Sequence, residues 1–358
     1  MLLEVKVNAN PITEPAATSR APWRQAVAGY QSADLRRSIW QIVNTFVPYI
    51  ILWILMVRSL EVSYWLTLAL AVLAAGFLMR IFIFFHDCGH GSFFKSTRAN
   101  DVFGIITGVL TFTPYYAWRH AHAVHHATAG DLDRRGVGDI WTLTVNEYLA
   151  SSRWKQLGYR FFRFPLITYV IGPFVMFAFI QRFPNRTDGP RERRSVHATN
   201  LALLGVAALI SLLIGFKAYL LIQIPLIALS AMAGVWLFYV QHQFEETYWE
   251  HHPDWDFATS AMEGASYYKL PRLLQWVSGS IGFHHIHHLS PRIPNYKLQR
   301  CHDENPIFQQ VKPLTPRTSL KSLRLHLWDE KRRVLVGFAY AKSLATNAQL
   351  QPSREGSQ

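Results

Sequence analysis

The sequence predicts an all-α integral membrane protein, with four transmembrane helices in two hairpins and a helical cap on the cytoplasmic side. Three observations lead there. Half of the 358 residues are hydrophobic and only 16% are charged, against about a quarter charged in ordinary soluble chains. Four apolar windows approach the roughly 20 helical residues that a bilayer core about 30 Å thick requires. Lys and Arg, 36 against 23 Asp and Glu, gather outside those windows, as cytoplasmic loops do.

Taken in order, residues 1–38 are polar, carry Pro11, Pro15 and Pro22, and show no apolar core before a cleavage site. They read as a flexible cytoplasmic arm. The membrane domain covers 39–296. Its first hairpin is 39–57 and 64–85, joined by the short link 58–63. Arg80, near the end of the second span, can snorkel to the headgroups. The second hairpin is 198–215 and 218–240, parted by Phe216 and Lys217. Two hairpins leave both termini on one side. Apart from Arg58, Arg80 and Lys217, every Lys and Arg falls on that side, so it is cytoplasmic and the membrane a cell (inner) membrane.

The cytoplasmic segments are then 86–197, 241–296 and the C-terminal 297–358. Two apolar stretches in 86–197 complicate the count. The first, 102–118, is short and holds Pro114; the second, 164–181, is broken by Gly172-Pro173 and flanked by arginines at both ends. Both read as interfacial or re-entrant. The stretch 313–343 reads as a peripheral helix, and the tail from Gln349 as disordered.

Composition also excludes classes. Such an apolar chain is neither disordered nor collagen-like, and its two cysteines, Cys88 and Cys301, support no disulfide framework. A net charge of +13 raises nucleic-acid binding, but the charge is dispersed and no zinc-finger or helix-turn-helix pattern accompanies it.

The 16 histidines are the second signal. His86 and His90 form HxxxH; His122, His125 and His126 form HxxHH, as do His284, His287 and His288. Spacings of three and four turn imidazoles to one helix face. With His242, just after the fourth window, nine candidate ligands are available. A single zinc takes about four, so nine suit two metals of higher coordination. Nitrogen donors at a redox-capable pair point to iron with positions open to dioxygen, although donor softness admits copper or zinc. His120 and His285 are adjacent but out of phase, and Asp87, Glu245 and Glu246 are candidates to accept the second N–H of a ligand imidazole. His197, His251, His252, His302 and His326 read as solvated or interfacial.

HDCGHGSFF at 86–94, WRHAHAVHH at 118–126 and GFHHIHHLSPRIPNY at 282–296 together resemble the three histidine boxes of the integral-membrane fatty acid desaturases. GDLDRRGVGDIWTLTVNEY, YVQHQFEETYW and SYYKLPRLLQW between the boxes are similar as well, most of all to bacterial and cyanobacterial acyl-lipid desaturases of the Δ12 type. The likeness runs from about Trp40 to Tyr296. It implies a cytoplasmic di-iron site on the eight box histidines with His242 added. It also implies dioxygen as co-substrate and a cis double bond placed at Δ12 (omega-6) in a monounsaturated acyl-lipid. Some relatives place an asparagine four residues before the added histidine; Phe238 stands there.

Breaking an unactivated C–H bond lies beyond side-chain acids and bases and needs a metal cofactor. No GxGxxG or cysteine run marks a bound flavin, nicotinamide or iron–sulfur cluster, and no haem domain is appended. Electrons therefore come from an external ferredoxin- or cytochrome-type donor. Basic patches at Arg191, Arg193, Arg194 and Lys331, Arg332, Arg333 suit an acidic carrier or anionic headgroups. Trp118, Tyr267, Tyr268 and Trp276 are candidates for an acyl tunnel or for an interfacial aromatic belt. The rival functions are a membrane di-iron hydroxylase of acyl chains, alkanes or carotenoids and, more distantly, a metal transporter.

Overall fold

The computed structural model describes residues 22–350. In chain order the helices that frame the molecule are α1 (Pro22–Ala28), α2 (Leu35–Ser59), α3 (Tyr64–Gly89), α4 (Thr97–Leu110) and α5 (Tyr115–Thr128). They continue with α6 (Val145–Ala150), α7 (Arg153–Phe162), α8 (Gly172–Ala178), α9 (Pro190–Ile214) and α10 (Phe216–His242). Short helices α11 (Phe257–Glu263), α12 (Arg272–Val277), α13 (His284–Leu289) and α14 (Asn295–Glu304) follow.

Among the described residues, α2, α3, α9 and α10 are long and apolar enough to cross a membrane. Asp34 starts α2 by accepting the backbone N–H groups of Arg36 and Arg37. Its buried positions, Gln41, Thr45, Tyr49, Leu52 and Met56, recur every three or four residues and form one stripe. The opposite face, with Val43, Val47, Ile50 and Ile54, is exposed. Water would make that face a liability; lipid tails solvate it. α3 meets α2 and α10 through Ala71, Ala74 and Ala75, whose small side chains permit close backbone approach. Gly215 reverses the chain between α9 and α10 at φ +88°, which L side chains rarely adopt.

The spanning helices outrun the apolar windows. α3 continues to Gly89 and α10 to His242, so His86 and His242 ride on the last turns of spanning helices instead of following them. Neither of the doubtful stretches is one helix. At 111–114 the chain breaks, with Phe112 at φ +57° ahead of Pro114, and separates α4 from α5. The segment 164–181 contains a π turn (Ile167–Ile171), α8 and a 3₁₀ turn, and is bent by 57° from α7. One side of α7 exposes Trp154, Leu157 and Phe161.

Two small sheets modify the all-α expectation. Strand β1 (Leu143–Thr144) pairs in parallel with β4 (Leu327–Asp329), which pairs antiparallel with β5 (Val334–Val336); β2 (Tyr267–Tyr268) pairs with β3 (Pro313–Leu314). The stretch 313–343 is therefore not one peripheral helix. Asp329 accepts the N–H groups of Lys331 and Arg332, turning the chain, and β-branched Val334 and Val336 favour the returning strand. Trp328 is buried there. The final helix, Phe338–Leu350, reaches the end of the described residues, and the tail beyond lies outside them.

Of the expected N-terminal arm, residues 1–21 lie outside the described residues. From Pro22 it is docked: Val27 packs against Phe283, Ile286 and Leu298, Gln31 donates to Ser290 Oγ at 3.1 Å, and the Asp34 N–H donates to Tyr296 Oη at 2.7 Å.

Candidate metal centre

Four elements bring the nine histidines together. The end of α3 supplies His86 and His90, α5 supplies His122, His125 and His126, the last residue of α10 is His242, and α13 supplies His284, His287 and His288. One donor atom from each of His86, His90, His122, His126 and His287 lies within 4.8 Å of all the others. A second group with the same closeness is His125, His242 and His288. His284 joins it through Nε2, 2.9 Å from His242 Nε2.

Ring nitrogens face one another at 3.1 Å for His126 and His122, 3.1 Å for His287 and His126, and 3.2 Å for His125 and His242. Metal–nitrogen bonds of about 2.1 Å at right angles would separate two donor atoms by about 3 Å. The spacing thus suits shared cations. Burial first, then the neighbouring imidazoles, pushes the pKa of His90, His122, His126, His284, His287 and His288 well below the usual histidine range. The rings stand neutral, the form that ligates a metal. His90 Nε2 and His288 Nε2 are buried without a hydrogen-bond partner, and an orphaned buried nitrogen is costly unless something else satisfies it. This donor set fits two metal ions.

One histidine in each group is braced by a carboxylate. Asp87 Oδ1 lies 3.3 Å from His86 Nδ1, and Asp139 Oδ1 lies 2.6 Å from His125 Nδ1. An ionised carboxylate only accepts, so each Nδ1 donates and each Nε2 keeps its lone pair for a metal. Gly138 is what lets Asp139 come so close. It sits at φ +74°, and a Cβ there would lie 3.0 Å from both the Ala121 carbonyl oxygen and His125 Cβ.

The other candidates divide. Trp118 stacks on His122 at 4.3 Å between ring centroids and lies 5.6 Å from His86. Tyr267 instead stacks on Phe283 and lies tilted against His302, Tyr268 is buried and bonded to Ser319, and Trp276 packs on Phe77 and Arg80. None of these three touches an imidazole of either group. Glu245 and Glu246 are exposed and pair with Lys321 and Lys312, too far out on the surface to orient ligands. His120 is exposed on the outer side of α5. His285 is fully buried but turned to Tyr267, His302 and Phe308, away from both groups. His302 is buried as well, against the solvated reading.

Three polar residues at the site went unassigned in the sequence: Asp139, Asn295 and Gln41. Asp139 follows Gly136-Val137-Gly138, and a glycine pair before an acid was the available signal. Phe238 lies against both His125 and His242, with ring centroids 5.3 and 5.2 Å away.

A family model described as fatty acid desaturase matches residues 63–314. A Bacillus subtilis protein named fatty acid desaturase is 49% identical over 318 residues, 89% of this chain and 90% of that protein. An sn-1 acyl-lipid omega-3 desaturase (ferredoxin) of Synechocystis is 27% identical over 62% of each chain. An endoplasmic reticulum omega-3 fatty acid desaturase of Vigna radiata is 28% identical over 61% of this chain and 59% of that one.

Proposed function

The chain belongs to the fatty acid desaturase family, an oxidoreductase family, and from that premise we propose that it desaturates the acyl chains of membrane lipids at a di-iron centre. The observation that carries the proposal is the pair of histidine groups, each with its donor atoms within 4.8 Å. His86, His90, His122, His126 and His287 would hold one iron, and His125, His242, His284 and His288 the other. When bound, the irons supply the reduction of dioxygen that removes one hydrogen from each of two neighbouring methylenes. The balance is –CH2–CH2– with O2, two electrons and two protons giving –CH=CH– and two waters.

The protein's share is position. Neutral imidazoles would hold the metals, with Asp87 and Asp139 placed to fix the tautomers of His86 and His125. Trp118 with Phe82 and Phe85 forms an apolar wall beside the first group, suited to lay a methylene chain against the metals and keep water out. Electrons come from a separate carrier; four relatives carry ferredoxin in their names. The spanning helices place the enzyme in a membrane. The dispersed positive charge supports a cytoplasmic site in the inner membrane.

The Δ12 position rests on the resemblance of the histidine boxes, whereas the named relatives are omega-3 enzymes or carry no position. One experiment separates these. The protein is expressed in hosts fed saturated, oleoyl or linoleoyl chains in turn, and the lipids are read by mass spectrometry. A diene from oleoyl lipid supports Δ12, and a triene from linoleoyl lipid supports omega-3. A gain of oxygen instead of a loss of two hydrogens would make it a hydroxylase. Zinc in place of about two irons per chain, with no oxygen consumed, would refute the enzyme altogether.

A further inference from the structure

Helix α2 carries no imidazole, yet it reaches the metal centre. Gln41 on its buried stripe meets Asn295, the first residue of α14, amide to amide. Gln41 Nε2 donates to Asn295 Oδ1 at 2.8 Å, and Asn295 Nδ2 donates to Gln41 Oε1 at 3.2 Å. Asn295 Nδ2 also donates to Asp87 Oδ2 at 2.9 Å, and the Asn295 backbone N–H donates to the same oxygen at 2.8 Å. Oδ2 of Asp87 therefore takes two donors, and Oδ1 faces His86 Nδ1.

The direction of every bond in this chain is determined. Turning the Asn295 amide over would aim its oxygen at the carboxylate, so Nδ2 must face Asp87. Gln41 must then present Nε2 to Asn295 Oδ1. The four residues are shut away from solvent, with Asn295 only 1% and Gln41 8% exposed. A buried polar network is costly unless each member is satisfied, and a satisfied one holds a single arrangement. Here a carboxylate that would otherwise need water is held by two residues far from it in sequence.

We propose that Gln41 and Asn295 are positioning residues of the metal centre: their paired amides hold Asp87 where its free oxygen orients the His86 imidazole. The inference rests on the reading of His86 as a ligand. It gives the first spanning helix a part in the site beyond anchoring, because a shift of α2 against α14 would pull Asn295 off Asp87.

The test uses the full-length protein in detergent, stripped of metal by chelator and titrated with cobalt(II), whose visible spectrum reports the ligand field. Asn295→Ala should weaken cobalt binding by up to about 10-fold, the lower end of the loss for a group that orients a ligand, and shift the spectrum. Gln41→Leu, which keeps volume but removes both amide contacts, should move both readings the same way by a smaller factor. Desaturase kcat should fall in both with KM held. Ser59→Ala is the control, since it removes a 2.8 Å bond from the same helix α2 to Thr67 of α3, about 27 Å along α2 from Gln41, and should change neither reading. If Asn295→Ala fails to accumulate, Gln41→Leu carries the same reading alone. Wild-type affinity and spectrum in the folded variants overturns the proposal, as does an equal loss in Ser59→Ala. A wild-type protein that takes up no cobalt overturns the metal reading itself, and this inference with it.

Discussion

The two histidine groups draw on the same helices and yet are built differently. α5 sends His122 and His126 to the first group and His125 to the second; α13 sends His287 to the first and His288 to the second. Residues four apart share a helix face, while adjacent residues point about 100° apart. The doubled histidine of each HxxHH is thus what lets one helix contribute to both groups. The first group gathers five mutually close imidazoles and the second three, with His284 reached through His242. The carboxylate brace is long in the first, 3.3 Å, and short in the second, 2.6 Å. The group with fewer close imidazoles has the shorter brace.

The largest expected effect follows from ligand number. His125→Ala should abolish desaturation and lower iron from about two per chain to about one, because the second group has no spare imidazole. His90→Ala should also cost activity but keep more of its metal, since four close imidazoles remain in the first group. Metal analysis of the purified variants compares them; equal metal loss would mean that the groups do not differ as their ligand sets suggest.

Next are the braces. Asp139→Asn should cost roughly 10- to 100-fold in metal affinity, and Asp87→Asn less, because its contact with His86 is longer. An amide can donate to Nδ1 and so favours the wrong tautomer for ligation through Nε2. Chelator competition on the two proteins orders them, and the reverse order would break the comparison.

A smaller effect concerns the aromatic ring beside each group. Trp118 lies on His122 of the first, and Phe238 lies against both His125 and His242 of the second. Phe238→Ala should admit water beside the second group and alter its cobalt spectrum. Trp118→Leu should leave that spectrum nearly unchanged and shift the distribution of lipid products. A changed product pattern from Phe238→Ala alone would move the acyl path to the other group.

These differences mark what could be read in advance. The four spans and the nine histidines were legible because apolar runs and spacings of three and four are local patterns. Which group each histidine joins was not legible, since it depends on the phase of α5 against α13. Asp139 and the Gln41–Asn295 pair were hidden for a related reason: their partners are 14 to 254 residues away in sequence. Glu245 and Glu246 misled by proximity to His242, because the chain leaves the helix at Gln243 and turns them to the surface. The hairpin of β4 and β5 was masked by the charged turn 330–333, which reads equally well as the polar face of a helix.

The smallest effect lies in that C-terminal hairpin, where a histidine outside both groups gives a contrast in pH. His326 stacks on Phe338 at 4.5 Å and is pushed down to about 4 by burial and then by the charge of Arg163. Arg163 in turn donates to the carbonyls of Trp141 and Leu325 and to Tyr239. Because the folded pKa lies below the unfolded value of about 6.5, protonation favours the open state. Stability from this contact is complete above about pH 6.5 and declines as the pH falls toward 4, by on the order of 1–2 kcal/mol at pH 5. Amide hydrogen exchange at Leu327 and Leu335, corrected for intrinsic rates, should therefore show weaker protection at pH 5 than at pH 7.5. His326→Phe, which keeps the stacked ring and removes the titrating group, should erase that difference. If the variant retained the full pH dependence, the titrating group would have to be sought elsewhere, beginning with His251, whose Nε2 lies 3.3 Å from Glu330 Oε1 in the hairpin turn.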